Sequence, residues 1–116
     1  MNSNEIEVQI VEIGEANFHS EVVQSKVPVL VGFLAPWSQP FQVLRPVLDE
    51  VGTACAGSVK VAWVDADDNP HLSMWYRIQS IPTLLYFVDG RPRARVVGTA
   101  SKERILSQLK PFTEAA

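Results

Sequence analysis

The 116-residue sequence predicts an α/β fold in which about four helices flank a central, mixed sheet of five strands. Strand-like apolar runs alternate along the chain with segments that have helical spacing. Two of these runs are apolar on both faces, which is typical of strands covered by helices on either side of a sheet. An Asp-Gly pair then joins the last two runs in a tight hairpin turn. Strands joined through helices pair in parallel and a hairpin pairs antiparallel, so we expect a mixed sheet.

The N-terminal half is expected to contain two strands and two helices. Weak apolar alternation predicts a strand at residues 7–13, and helical spacing predicts a short helix at residues 14–23. Residues 27–35 are almost continuously apolar, which indicates a buried central strand. Residues 39 to about 53 have helical spacing again. Pro46 is expected to kink this helix, because its ring clashes with a carbonyl of the preceding turn.

The C-terminal half is expected to supply the other three strands. The predicted elements are a buried strand (59–64), a turn and short helix (65–76), a strand (81–88), an antiparallel strand (91–97) and a helix capped by Ser101. No linker or repeat interrupts this order. With a length in the range of single hydrophobic cores, residues 1–116 are expected to form one domain.

Composition excludes several classes of function. The net charge of −3 argues against a protein that binds nucleic acid or an anionic membrane through bulk charge. A single cysteine excludes an intramolecular disulfide, and we expect no metal and no cofactor. No apolar run reaches the roughly 18–20 residues of a membrane span. The stretch 1–8 is polar and acidic without a signal-peptide core, which predicts a cytoplasmic location.

Several local motifs resemble those of the thioredoxin family. The run 29–37 is similar to the strand and tryptophan that lead into that family's redox motif, and Pro46 matches its kinking proline. The stretches 67–70 and 81–83 resemble its Asp-x-Asn-Pro turn and its cis-proline segment, and Gly98 resembles its late glycine. The resemblance covers most of the chain and implies the thioredoxin fold.

The redox motif itself departs from the family pattern. Where the family has Trp-Cys-Gly-Pro-Cys, this chain has Trp37, Ser38, Gln39, Pro40 and Phe41. Thiol–disulfide exchange needs one thiolate that attacks and a second thiol that resolves the mixed disulfide. A serine hydroxyl is far less acidic than a thiol, and no base is evident beside it. Phenylalanine has no thiol with which to resolve a mixed disulfide. We therefore expect no catalytic residue here.

Two further positions lack polar groups that the resemblance implies. A buried aspartate that relays protons in the family corresponds to Gly32, and a lysine that tunes it corresponds to Trp63. A buried carboxylate is costly unless it is paired, so its loss is favourable once proton transfer is not needed. We expect the ring of Phe41, of Trp63, or of both to cover Gly32 and form an apolar plug.

The resemblance also implies a substrate groove that needs no redox chemistry. A cis-proline leaves the backbone of the preceding Ile81 available to an extended peptide. The candidate binding residues are Trp37, Gln39, Pro40, Ser80, Ile81, Pro82, Val97 and Gly98. The sequence thus favours a redox-inactive module that binds a protein or extended peptide segment. The alternatives are a thioredoxin-type protein-disulfide reductase and a chaperone-like holdase.

Other chemistry-bearing residues are expected to have structural roles. Cys55 is expected to be a small, inert apolar residue, with a reactive thiol as the alternative. His19 and His71 have no partner pattern and are expected at the surface. The acidic stretch 65–68 has turn and cap chemistry and lacks the spacing of a calcium loop.

Three alternating arginines in the last strand are the strongest concentration of positive charge. Arg91, Arg93 and Arg95 are expected to project from one face of that strand. Charged edge strands deter edge-to-edge aggregation, which is the simpler interpretation, and an acidic partner is the alternative. The oligomeric state and the identity of the partner stay open at this stage.

Overall fold

The computed structural model describes residues 10–113, and their strands form one sheet in the order β1-β3-β2-β4-β5. The strands are β1 (Val11–Ile13), β2 (Val29–Leu34), β3 (Lys60–Asp65), β4 (Thr83–Val88) and β5 (Arg91–Val97). β1, β3 and β2 pair in parallel, whereas β4 is antiparallel to both β2 and β5. The predicted mixed α/β sheet is therefore confirmed. The part of the first predicted strand at residues 7–9 lies outside the described residues.

Four helical segments connect the strands. They are a π-helical turn (His19–Val23), α1 (Gln39–Ala54), α2 (Pro70–Trp75) and α3 (Lys102–Thr113). The predicted cap of the last helix is present, because the Ser101 hydroxyl accepts a hydrogen bond of 3.1 Å from the backbone N–H of Arg104. Across residues 10–113, no helix combines the length and the apolar character needed to cross a bilayer.

The core has two parts, one on each face of the sheet. On one face α1 and α3 contribute buried side chains, including Leu48 and Ile105, and we call this the first cluster. On the other face the second cluster includes Phe18 and Val22, and Tyr76 packs against it. Every residue of β2 is buried, as predicted for a central strand covered on both faces.

The start of α2 is held by a side chain from a distant loop rather than by its own N-cap residue. Glu15 accepts a hydrogen bond of 2.7 Å from the backbone N–H of His71. Asn69 makes no capping bond, and its Oδ1 instead accepts the backbone N–H of Glu15 at 2.9 Å. A Cβ at Gly14 would lie only 2.7 Å from the same oxygen, so a larger residue there would displace the Asn69 side chain. The expectation that the 65–70 turn itself caps α2 was therefore wrong.

A β-bulge changes the direction of the arginines in β5. Arg91 pairs with Val88, which packs on the first cluster, whereas Arg95 pairs with Leu85 of the second cluster. Directly paired residues share a face of the sheet, so these two arginines lie on opposite faces. The register shifts between the Tyr86–Ala94 and Phe87–Pro92 pairs, so Arg93 is the extra residue of the bulge. The prediction that all three arginines share one face was therefore wrong, because the extra residue breaks the alternation.

Candidate groove at one edge of the sheet

Strand register brings the segments of the predicted groove to the same edge of the sheet. Phe33, near the end of β2, pairs with Thr83 at the start of β4, and Thr83 also pairs with Val97 at the end of β5. The loops at residues 35–38 and 80–82 and the residue after β5 therefore meet at this edge. All eight candidate binding residues belong to these loops, to the end of β5 or to the first turn of α1.

The segment before β4 has its backbone exposed toward this edge. The Ile81–Pro82 peptide bond is cis, and the carbonyl of Pro82 accepts a hydrogen bond of 2.8 Å from the N–H of Gly98. The Thr83 hydroxyl donates to the carbonyl of Ser80 at 2.6 Å. Within residues 10–113, the backbone N–H and carbonyl of Ile81 take part in no hydrogen bond, and this residue is 39% exposed.

Trp37 stands at the surface and is held there by a hydrogen bond. Its side chain is 78% exposed, and its indole Nε1 donates to Asp67 Oδ2 at 2.7 Å. Asp67 is itself placed by a turn in which Asp65 Oδ1 accepts the backbone N–H groups of Asp67 and Asp68 at 3.1 and 3.3 Å. The acidic stretch is thus a turn that orients Trp37, a role that the sequence reasoning did not assign to it.

Ser38 is engaged entirely with backbone groups. Its hydroxyl donates to the carbonyl of Ala35 at 2.7 Å and accepts the N–H of Phe41 at 3.3 Å, which makes it the N-cap of α1. Pro40 lies in the first turn, where its missing N–H costs nothing. No side chain of the described residues forms a hydrogen bond with this hydroxyl, so the geometry is that of a cap and not of an activated nucleophile.

The space at Gly32 is filled by aliphatic side chains. The atoms nearest to the position of a Cβ there are methyl carbons of Leu48 and Leu84, both at 3.2 Å, and of Leu34 at 3.6 Å. Leucines, rather than the aromatic rings expected from the sequence, therefore make the closest contacts. Because these nearest neighbours are methyl carbons, the site is apolar and offers no group that could relay a proton.

Phe41 and Trp63 contact each other, and Trp63 is also the β3 residue that pairs with Gly32. Their ring centroids are 5.3 Å apart in an edge-to-face arrangement, and Trp63 is 7% exposed. The guanidinium carbon of Arg45 lies 5.8 Å from the centroid of the Trp63 ring, within the range of a cation–π contact. The two residues that replace a cysteine and a lysine by the family resemblance thus form an aromatic pair beneath the start of α1.

The single cysteine is far from the degenerate motif. Ser38 precedes and Cys55 follows the 16 residues of α1, whose length at 1.5 Å per residue is about 24 Å. Cys55 packs against the first cluster, and this partial burial raises the pKa of its thiol. A protonated thiol at the opposite end of the helix is unable to act together with residue 38. The expectation of a small residue packed against apolar neighbours fits this placement.

The two histidines lie away from the groove. His71 pairs with Glu15 at 3.4 Å on the side of the sheet that carries the second cluster, and both histidines are exposed. Within residues 10–113, no group of histidine, cysteine and acidic side chains is arranged to hold a metal ion.

Comparison with known proteins agrees with this architecture. The family model described as Thioredoxin matches residues 9–111. The chain is 39% identical over 101 residues to a protein named thioredoxin from Synechocystis sp., covering 87% of this chain and 94% of that protein. It is 41% identical over 97 residues to thioredoxin 1 of Synechococcus elongatus, covering 84% and 91%. A thioredoxin of Mycobacterium tuberculosis is 39% identical over 99 residues, covering 85% of each chain. The chain therefore belongs to the thioredoxin family.

Proposed function

We propose that this protein is a redox-inactive member of its family that binds extended segments of partner proteins in the groove around Ile81. The observation that carries the proposal is the backbone of Ile81, which takes part in no hydrogen bond with any described residue and lies at an edge flanked by exposed apolar side chains. Trp37 and Val97 are 78% and 54% exposed. We take residues 1–116 to act as one binding module. We also propose that the protein is located in the cytoplasm, and cell fractionation with a specific antibody tests this location.

Main-chain hydrogen bonds and side-chain contacts supply the affinity in this mode of binding. An extended peptide gains hydrogen bonds from the free N–H and carbonyl of Ile81, as in other cases where a peptide adds to an exposed backbone edge. Trp37 offers a large apolar surface, and because Asp67 already fixes its indole, little side-chain entropy is lost on binding. Gln39, Pro40, Ser80, Pro82 and Gly98 complete the proposed groove.

Redox inactivity is supported by the chemistry of three positions. Ser38 serves as a helix cap, Phe41 packs on Trp63, and Cys55 lies at the opposite end of α1. A disulfide exchange needs two thiols that reach each other, and this chain has one.

The competing function is a protein-disulfide reductase, because the similar proteins are named thioredoxins. Insulin reduction by dithiothreitol separates the two, with the Synechocystis thioredoxin as a positive control. We expect the rate with this protein to equal the rate with dithiothreitol alone. Turnover above that rate that is lost in Cys55→Ser would contradict the proposal.

Peptide binding is tested by amide chemical shifts. On titration with an extended peptide of alternating Ser and Val, we expect the amide signal of Ile81 and the indole signal of Trp37 to shift. The indole of Trp75, which is also 78% exposed but belongs to α2, serves as the internal control. Equal shifts of both indoles would indicate non-specific contact with exposed tryptophans and would argue against the groove.

A further inference from the structure

We propose that the groove selects partner segments that carry an acidic side chain, and that a pocket lined by Arg77 and Arg95 receives its carboxylate. This inference rests on the peptide-binding function proposed above. It assigns to that function a partner chemistry that neither the motif residues nor the family comparisons supply.

The pocket is continuous with the groove. It has a volume of about 320 Å³ and is lined by Arg77, Gln79, Ser80, Thr83, Arg95 and Val97. Ser80 and Val97 are themselves groove residues, and Ser80 directly precedes Ile81. A peptide paired with the backbone of Ile81 therefore presents a neighbouring side chain to this pocket.

Arg95 is anchored so that its charge stays at the pocket. One guanidinium nitrogen donates to the carbonyl of Tyr76 at 2.7 Å and the other to the carbonyl of Arg77 at 3.3 Å. These bonds use two of the five N–H donors of a guanidinium. The anchored group is thus pre-organised, and a carboxylate bound there forms charge-assisted hydrogen bonds with little further ordering of Arg95.

Within residues 10–113, no carboxylate forms an ion pair with either arginine of the pocket. Among the described residues, ion pairs join Arg45 to Asp49 and Lys60 to Glu21. Neither Arg77 nor Arg95 takes part in them. In a chain whose net charge is −3, two unneutralised arginines on one small pocket form a local site for a negative group.

The β-bulge in β5 separates Arg95 from Arg91. In a regularly alternating strand these two residues, four positions apart, would lie on the same face of the sheet. With the bulge, Arg91 lies on the opposite face. Of the three exposed arginines of the strand, Arg95 is the one that lines the pocket. Arg91→Gln therefore removes the same charge from the same strand without touching the pocket.

A purely structural role for Arg95 has a different consequence. If Arg95 serves only to satisfy the carbonyls that follow α2, its replacement loosens that end of the helix and Arg77→Gln has no effect on binding. Arg77 provides the clean test, because only its backbone carbonyl is used in the contact with Arg95. Glutamine keeps most of the side-chain volume of Arg77 and removes its charge.

The experiment measures the affinities of a matched peptide panel by fluorescence anisotropy. The probes are acetylated and amidated peptides of about nine residues, long enough for one extended pairing. They consist of alternating Ser and Val, carry a neutral dye, and have Glu, Gln or Lys at each position in turn. We expect Glu at one position to bind about tenfold more tightly than Gln, as for a charge-assisted hydrogen bond. We expect Lys there to bind more weakly than Gln.

The variants separate the two levels of the proposal. Arg77→Gln is expected to abolish the preference for Glu over Gln, Arg91→Gln to retain it, and Trp37→Ala to weaken all peptides alike. Peptides that bind through Trp37 with no preference for Glu, or an equal loss in Arg77→Gln and Arg91→Gln, would overturn the acidic selectivity and leave the groove intact. No binding by any peptide would overturn the groove and the selectivity together.

Discussion

The indole nitrogen of Trp37 and the carboxylate of Asp67 are joined by a hydrogen bond of 2.7 Å that links two loops 30 residues apart. The bond holds a large apolar side chain at the surface in one orientation. A tryptophan that is 78% exposed gains little from burial, so its position depends on this contact and on the turn that carries Asp67.

The first prediction concerns this bond. In Asp67→Ala we expect peptide affinity to fall about three- to tenfold, because the freed indole must be ordered on binding. The free energy of unfolding should change by less than about 1 kcal/mol, since the bond is exposed. Fluorescence anisotropy with the Ser–Val peptides measures the affinity, and urea unfolding measures the free energy of unfolding.

The control is Asp68→Ala, which removes the neighbouring carboxylate and should leave peptide affinity unchanged. Equal affinities for Asp67→Ala and the unsubstituted chain would show that the bond does not position Trp37 for binding.

Elements with local signals were predictable from the sequence, whereas the hydrogen bond between Trp37 and Asp67 was not. The apolar run of β2, the cap at Ser101 and the Asp89–Gly90 turn each depend on neighbours within a few residues. The turn residues have φ of 54° and 79°, as a tight hairpin requires. The bond from Trp37 to Asp67 depends instead on the parallel pairing of β2 with β3, which places their following loops side by side.

The wrong prediction for β5 and the unpredicted leucine contacts at Gly32 have the same physical origin. Alternation in β5 predicts one face for all three arginines, and only strand pairing reveals the extra residue at Arg93. The sequence indicates lost polar groups around Gly32, but which side chains fill the space depends on how α1 packs on the sheet. Leu48, in the second half of α1, makes one of the closest contacts there, whereas Phe41, the last residue of the degenerate redox motif, packs on Trp63.

The second prediction is that a carboxylate is no longer tolerated at Gly32. Gly32→Asp should lower the free energy of unfolding by roughly 3 kcal/mol or more at neutral pH, because the charge would be buried among leucines without a partner. Gly32→Ala controls for the added volume, since its Cβ would lie 3.2 Å from two methyl carbons. Urea unfolding measures both variants.

The pH dependence identifies the cause of that loss. Burial raises the pKa of an aspartate above its unfolded value near 4, so the unfolded state ionises first as pH rises. Stability of Gly32→Asp relative to Gly32→Ala should therefore be lost as pH rises through about 4 and be regained in acid. A difference between these variants that does not change with pH would mean that the aspartate has the same pKa in the folded and unfolded states and is therefore not buried.

The third prediction restores the two thiols. In a Cys55→Ser background, Ser38→Cys with Phe41→Cys should form an intramolecular disulfide on oxidation, because residue 38 caps the turn that contains residue 41. Mass spectrometry before and after reduction measures it. Each single cysteine variant is the control and should yield only intermolecular disulfides. Two thiols that resist oxidation in the folded double variant would contradict the placement of the motif.

Reductase activity of that variant should nevertheless stay low. The position of the proton relay is glycine among leucines, and Trp63 offers no charge to tune a carboxylate. We expect insulin reduction at least about tenfold slower than by the Synechocystis thioredoxin, since general acid–base assistance contributes at least that factor. Full activity would show that the relay positions do not limit this chain.

The last prediction concerns Glu15, the acceptor at the start of α2. Desolvation by the surrounding protein acts to raise the pKa of this carboxyl. Hydrogen bonds from the backbone N–H groups of His71 and Leu72 and from the His71 ring outweigh this desolvation, so the pKa of Glu15 is lowered.

A carboxyl whose pKa is lowered in the fold stabilises the protein at pH values above its unfolded pKa, and this contribution is lost as pH falls through the folded pKa. Stability of the unsubstituted chain relative to Glu15→Gln should therefore be largest near neutral pH and decline below about pH 4. Urea unfolding across this range measures it, and Glu50→Gln corrects for the loss of one exposed negative charge. A difference that grows in acid would mean that the carboxyl acts in its protonated form, and the assignment of Glu15 as an ionised cap of α2 would then fail.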